Sequence, residues 1–176
     1  MGHTDEKHAE KPGTVFSAAV ITLSDKGYIG EREDKSGPLI CQILENEGYE
    51  VKETLLLPDD QKVLEQNLCR LADELKTDVV FTTGGTGFSE RDVTPEATIA
   101  VCDRMAVGIA EAIRSYSLRI TDHAMLSRAT SGIRKKTLIV NLPGSPKAVR
   151  ESLGYILPAL KHGLGILKGI DGECGG

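Results

Sequence analysis

Apolar residues dominate 15–23, 79–82 and 137–142, 51–57 joins Val51 and Leu55 to Leu57 across the charged Lys52 and Glu53, and each segment stops at a stretch carrying Gly, Pro, Ser or Asp. Short apolar runs rich in β-branched residues and bounded in this way predict buried strands. Between them the period changes. Leu39, Ile40, Ile43 and Leu44, then Val63, Leu64, Leu68, Leu71, Ala72 and Leu75, and later Val149, Leu153, Ile156, Leu157 and Leu160 recur at helical spacing, which gives each segment one apolar face. The first helix is predicted to open at Ser36-Gly37-Pro38 and to end at Gly48, in the position of a left-handed cap. Further helices are predicted over about 95–105 and 107–120, and 122–134 reads as a polar segment with no element of its own. Ser145 caps the last helix, and Pro146 suits its first turn. That helix runs to about Leu167, and Pro158 inside it predicts a kink or a split.

Apolar strands alternating with amphipathic helices predict an α/β fold, a three-layer α/β/α arrangement with a mainly parallel central sheet. Residues 14–168 read as one domain, with 1–13 as a disordered leader and 169–176 as a flexible tail. In such sheets ligands bind beyond the carboxyl ends of the strands. The loops at 24–38, 58–60, 83–95 and 143–145 all fall there. The most informative stretch is 78–97, a strand followed by Gly84-Gly85-Thr86-Gly87, an Arg91-Asp92 pair, and a helix start where Thr94 can cap and Pro95 fits. A strand, a glycine loop and a helix start place backbone N–H groups around an anion, so the expected ligand is a phosphate. The glycines have a second reading, a tight turn that needs positive φ.

Composition narrows the classes. A net charge of -5 over 176 residues disfavours a general nucleic-acid binder. Cys41, Cys69, Cys102 and Cys174 are scattered without zinc spacing, and the first three read as small buried hydrophobes. His3 and His8 lie in a polar context that suggests no metal site, and His123 and His162 read as satisfied or exposed. No signal peptide and no bilayer-length apolar run is visible, so no membrane partner is expected and a reducing cytoplasm is the default.

Thr22-Leu23-Ser24-Asp25, Asp34-x-Ser36-Gly37-Pro38, Pro58-Asp59, Thr83-Gly84-Gly85-Thr86-Gly87, the run 91–98 beginning Arg91-Asp92-Val93-Thr94, Leu126-Ser127-Arg128 and Asn141-Leu142-Pro143-Gly144-Ser145-Pro146 follow one another in order. Together they closely resemble the molybdopterin adenylyltransferase family of molybdenum-cofactor biosynthesis, which includes MogA, its MoaB relatives and the G domain of gephyrin-type proteins. The resemblance implies a homotrimer with molybdopterin and ATP as substrates and Mg²⁺ as cofactor. The terminal phosphate of molybdopterin would attack the α-phosphate of ATP, and the product would pass to a downstream molybdotransferase. It leaves two alternatives on the same fold, a molybdotransferase-type metal-insertion domain and a non-catalytic MoaB-like binding module.

Joining two phosphates needs positioning and charge screening more than a covalent nucleophile. By resemblance, Asp59 and Asp92 are the catalytic carboxylates, with Asp92 the Mg²⁺ ligand. On position alone, Asp59 reads as a helix cap and Asp92 as an acid favourable to a helix N-terminus. Asp60 is expected to cap. Gly84, Gly85, Thr86, Gly87, Pro143, Gly144 and Ser145 form the expected nucleotide side. Ser24, Asp25, Ser36, Gly37, Ser127 and Arg128 form the expected pterin side, and Arg91 reads either as a phosphate clamp or as a partner of Glu90.

Overall fold

The structure, a computed structural model, describes residues 13–170, so His3, His8 and Cys174, with most of the leader and tail, lie outside the described residues. Strands β1 (Ser17–Leu23), β2 (Glu50–Leu57), β3 (Val79–Thr83), β4 (Arg104–Met105), β5 (Ser131–Arg134) and β6 (Thr137–Leu142) form one sheet in the order β2-β1-β3-β6-β5-β4. The β2-β1-β3-β6 part is parallel, whereas β5 and β4 are antiparallel. Helices α1 (Asp25–Tyr28), α2 (Ser36–Asn46), α3 (Gln61–Asp73), α4 (Thr94–Val101), α5 (Gly108–Ser117) and α6 (Pro146–Lys168) complete the chain.

Because side chains alternate across a strand, one apolar run serves both faces of the sheet. Ala18, Val20, Val79, Phe81, Leu138 and Val140 bury into a core with Ile40, Leu44, Ile113, Val149, Leu153 and Leu164 of α2, α5 and α6. Ala19, Ile21, Leu23, Val80 and Ile139 bury on the other side with Leu64, Leu68, Leu71, Ala97 and Val101 of α3 and α4. The three predicted layers follow from that division. One polar node interrupts the second face. The Asn141 amide donates to the hydroxyls of Thr82 (3.0 Å) and Thr98 (2.9 Å), and its oxygen accepts from the Thr130 N–H (3.1 Å). Every polar atom of this wholly buried side chain is thus satisfied.

Four readings change. The helix expected over 95–105 stops at Val101, and 104–105 becomes an edge strand. The polar segment holds a 3-10 turn at Asp122–Leu126 and then β5, whose register against β6 sets Ser131 opposite Val140. Short polar strands of this kind carry no apolar run to reveal them. The loop after β1 contains α1, with Ser24 accepting from the Gly27 N–H. Pro158 does not split α6, which is one helix of 23 residues ending on left-handed Gly169. Gly154 stands at the i−4 position against the proline ring, and the apolar face held by the sheet carries the helix through the missing bond. Gly48 is left-handed at φ 82, as expected.

Candidate functional site

The sheet reverses its winding between β1 and β3, since β1 connects outward to β2 while β3 pairs on its other side. A crevice at the carboxyl ends of the strands follows at such a reversal. It is a cleft of about 750 Å³ lined by Thr22 and Ser24 after β1, Asp59 after β2, Gly84, Gly85 and Asp92 after β3, Ser36 at the start of α2, and Gly144 and Ser145 after β6. Residues distant in sequence thus meet at one rim.

Gly84 and Gly85 are required by close approach as well as by conformation. Both have positive φ, 92° and 69°. A Cβ on Gly84 would lie 2.4 Å from the Leu23 carbonyl oxygen, and one on Gly85 would lie 2.4 Å from the Thr94 hydroxyl and 3.3 Å from Asp59 Oδ1. Positive φ and close approach bear out the turn reading of these glycines, and their backbone borders the cleft. Thr94 does not cap α4. Its hydroxyl donates to the Gly84 carbonyl (2.9 Å) and its N–H to the Gly85 carbonyl (3.1 Å), so it pins the glycine loop to the helix instead.

Asp60 caps α3 through the Val63 N–H (3.0 Å), as expected, which leaves the neighbouring Asp59 free for the cleft. Asp59 and Asp25 exchange hydrogen bonds: Asp25 N–H donates to Asp59 Oδ2 (2.9 Å) and Asp59 N–H to Asp25 Oδ1 (3.0 Å). Arg91 grips the same Asp25 carboxylate with Nε and Nη2, each at 2.9 Å. Asp25, rather than Glu90, is thereby the side-chain partner of Arg91. Burial pushes the Asp59 carboxyl above its ordinary range, the charges of Asp25 and Asp92 add to the rise, and the Asp25 N–H and the Arg91 charge oppose it. The Arg91 guanidinium holds Asp25 below the ordinary carboxylate range.

Asp92 Oδ2 accepts from the Ser89 N–H (3.0 Å), and a Cβ on Gly87 would come within 2.8 Å of it, so that glycine makes room for the carboxylate. Asp92 also borders a shallower cavity of about 470 Å³ with Phe88, Glu96 and Arg128. Among the described residues no group of three or more His, Cys, Asp or Glu could cage a metal. The remaining oxygens of Asp59 and Asp92, hard donors beside a nucleotide-sized cleft, fit the way Mg²⁺ is held by one or two carboxylates together with substrate phosphates.

Ser127 and Arg128 do not line the main cleft. The Arg128 guanidinium donates to the carbonyls of Gly87 (2.7 Å) and Asp92 (2.6 Å) and pairs with Glu96, and the Arg128 backbone N–H donates to the Thr86 carbonyl (2.9 Å). It is the brace of the loop carrying Asp92, an assignment invisible without the fold. Ser127 contributes its carbonyl to Arg114 (2.9 Å). Thr83 holds the Pro143 carbonyl at 2.6 Å, and Ser36 holds that of Gly144 at 2.7 Å, which ties the last turn to β3 and α2. Gly37 donates its N–H to Asp34 Oδ1 (2.9 Å). The buried Thr22 hydroxyl facing the cleft has no hydrogen-bond partner, a feature that no spacing in the sequence could show.

A family model described as "Probable molybdopterin binding domain" matches residues 19–162. The chain is 44% identical to the molybdopterin adenylyltransferase of Escherichia coli K12, over 76% of this chain and 70% of that protein. It is 40% identical to the Helicobacter pylori 26695 protein of the same name, covering 85% and 86% of the two chains. It is also 40% identical to Dictyostelium discoideum gephyrin over 93% of this chain, but spans only 24% of that protein's length. Among solved structures, the molybdopterin biosynthesis enzyme MoaB of Thermus thermophilus superimposes with a TM-score of 0.84 at 44% identity, over 88% of this chain and 98% of that one.

Proposed function

The chain belongs to the family of probable molybdopterin-binding domains, and on that premise we propose that it is a molybdopterin adenylyltransferase, which transfers AMP from ATP to the terminal phosphate of molybdopterin. The observation that carries the reading is the meeting of Asp59, Asp92, Gly84, Gly85, Ser36 and Gly144 around one cleft of about 750 Å³. A phosphate oxygen of molybdopterin forms a new bond to the α-phosphorus of ATP as the bond from that phosphorus to pyrophosphate breaks. The bare backbone at Gly84 and Gly85 admits the nucleotide phosphates without a Cβ in the way, and Gly144 and Ser145 bound the same side. Ser24, Ser36 and the amino end of α2 face the pterin phosphate, where N–H groups and the helix dipole favour an anion. Asp92, with Asp59 beside it, would hold Mg²⁺, which would supply charge neutralisation for a transfer between two anions.

In this reading the protein works as a homotrimer in the cytoplasm and hands its product to a molybdotransferase. Phe88 and Met125, 72% and 62% exposed, are apolar surface that such an assembly would cover; sedimentation equilibrium tests it. The three described cysteines are free thiols, as a reducing compartment favours. Among the described residues no helix is long and apolar enough to cross a membrane.

The experiment is pyrophosphate release from ATP, Mg²⁺ and molybdopterin. Wild type releases it, and Asp92→Asn stays folded while losing on the order of 100-fold or more in rate. Release at the wild-type rate by Asp92→Asn would overturn the role of that carboxylate. Tight molybdopterin binding by wild type with no turnover at any Mg²⁺ level would point instead to a binding module.

A further inference from the structure

Two carboxylates that act on one triphosphate must keep a fixed spacing, yet Asp59 and Asp92 sit on different loops, one after β2 and the other after β3. The connection between the two loops runs through Asp25 and Arg91. Asp25 Oδ1 accepts both the Asp59 N–H (3.0 Å) and Arg91 Nη2 (2.9 Å), Asp25 Oδ2 accepts Arg91 Nε (2.9 Å), and the Asp25 N–H returns a bond to Asp59 Oδ2 (2.9 Å). Arg91 is the residue next to Asp92. The clasp thus leads from the backbone beside one carboxylate to the side chain of the other.

Exposure excludes a bland explanation. The Arg91 and Asp25 side chains are 62% and 41% exposed, and an ion pair that open contributes little to stability. Its form is nevertheless the specific one, a planar fork meeting both oxygens of a carboxylate across 66 residues of sequence. Such geometry fixes orientation rather than fold stability. We propose that Arg91 is a positioning residue for adenylyl transfer, holding Asp59 in register with Asp92 by its two-pronged grip on Asp25.

The inference rests on the adenylyl-transfer reading, and the test separates the two. Steady-state pyrophosphate release is measured for wild type, Arg91→Ala, Arg91→Lys, Asp25→Ala and the double variant Arg91→Ala/Asp25→Ala, together with thermal midpoints. Arg91→Ala lowers kcat about 10- to 100-fold, as a displaced catalytic group does, while KM for ATP stays within about threefold and the midpoint moves by only a few degrees. Arg91→Lys recovers only part of the rate, because one ammonium cannot span both oxygens. The double variant is no slower than the slower single variant, since both cut the same connection.

Wild-type kcat in Arg91→Ala overturns the proposal. So does a rise in KM for ATP with kcat unchanged, which would make Arg91 a direct phosphate binder, and so do losses that multiply in the double variant. If wild type shows no turnover, the functional reading fails first, and binding of Mn²⁺ with ATP followed by electron paramagnetic resonance decides the clasp. Weaker Mn²⁺ binding in Arg91→Ala sustains it, and unchanged binding ends it.

Discussion

Gly84→Ala is the sharpest test of how the cleft is built. Gly84 has φ 92°, beyond the left-handed helical minimum that an alanine reaches most easily, and its added Cβ would lie 2.4 Å from the Leu23 carbonyl oxygen. Holding a residue with a side chain in such a region costs about 1–3 kcal/mol. The overlap adds about 1–3 kcal/mol, because Leu23 ends a strand paired with β2 on one side and with β3 on the other and cannot easily retreat. The sum, roughly 2–6 kcal/mol, is a large share of the ~5–15 kcal/mol that stabilises a domain. Urea unfolding is the assay, with the loss read as a lower midpoint at unchanged slope. Gly163→Ala is the control. Gly163 sits inside α6 with nothing within 4 Å of an added Cβ, so alanine there stabilises by about 0.5–1 kcal/mol. A Gly84→Ala loss under about 0.5 kcal/mol, the range of an ordinary surface change, would refute the claim that β1 and the glycine loop are locked together.

Asn141→Ala removes the buried node that joins Thr82, Thr98 and Thr130. It leaves a cavity and unpaired polar groups, so a loss of about 3–5 kcal/mol is expected in the same unfolding assay. At the opposite end of the sheet, hydrogen bonds from Arg134 and Lys135 pull the Asp73 carboxyl from its ordinary 3.8 down to about 2. A carboxyl lowered in the folded state binds its proton more weakly than in the unfolded chain, so its stabilisation is present above about pH 4 and fades as pH falls toward 2. Thermal midpoints followed through that window therefore drop more steeply for wild type than for Asp73→Asn, and equal slopes would exclude the pairing.

The sequence by itself determined the layers and the strand ends. Mainly apolar runs at 15–23, 79–82 and 137–142 call for burial on both faces, and helices with one apolar stripe must supply the cover. Parallel strands then bring the loops at their carboxyl ends to one rim, which is why Asp59, Gly84 and Ser36 were legible as neighbours from their places in the chain. Local signals held as well: Asp60 and Ser145 cap where their spacing says they should. What tertiary structure alone decided is the destination of long polar side chains. The Arg91 fork turns to Asp25, Arg128 braces the loop around Asp92, and Thr94 leaves the cap position to hold the Gly84 carbonyl. No periodicity encodes these choices, because a guanidinium or hydroxyl takes whichever oxygens the folded loops place within about 3 Å, and those oxygens come from strands far apart in sequence. The short β5 was hidden for a related reason, since its polar residues become strand only where β6 offers them an edge.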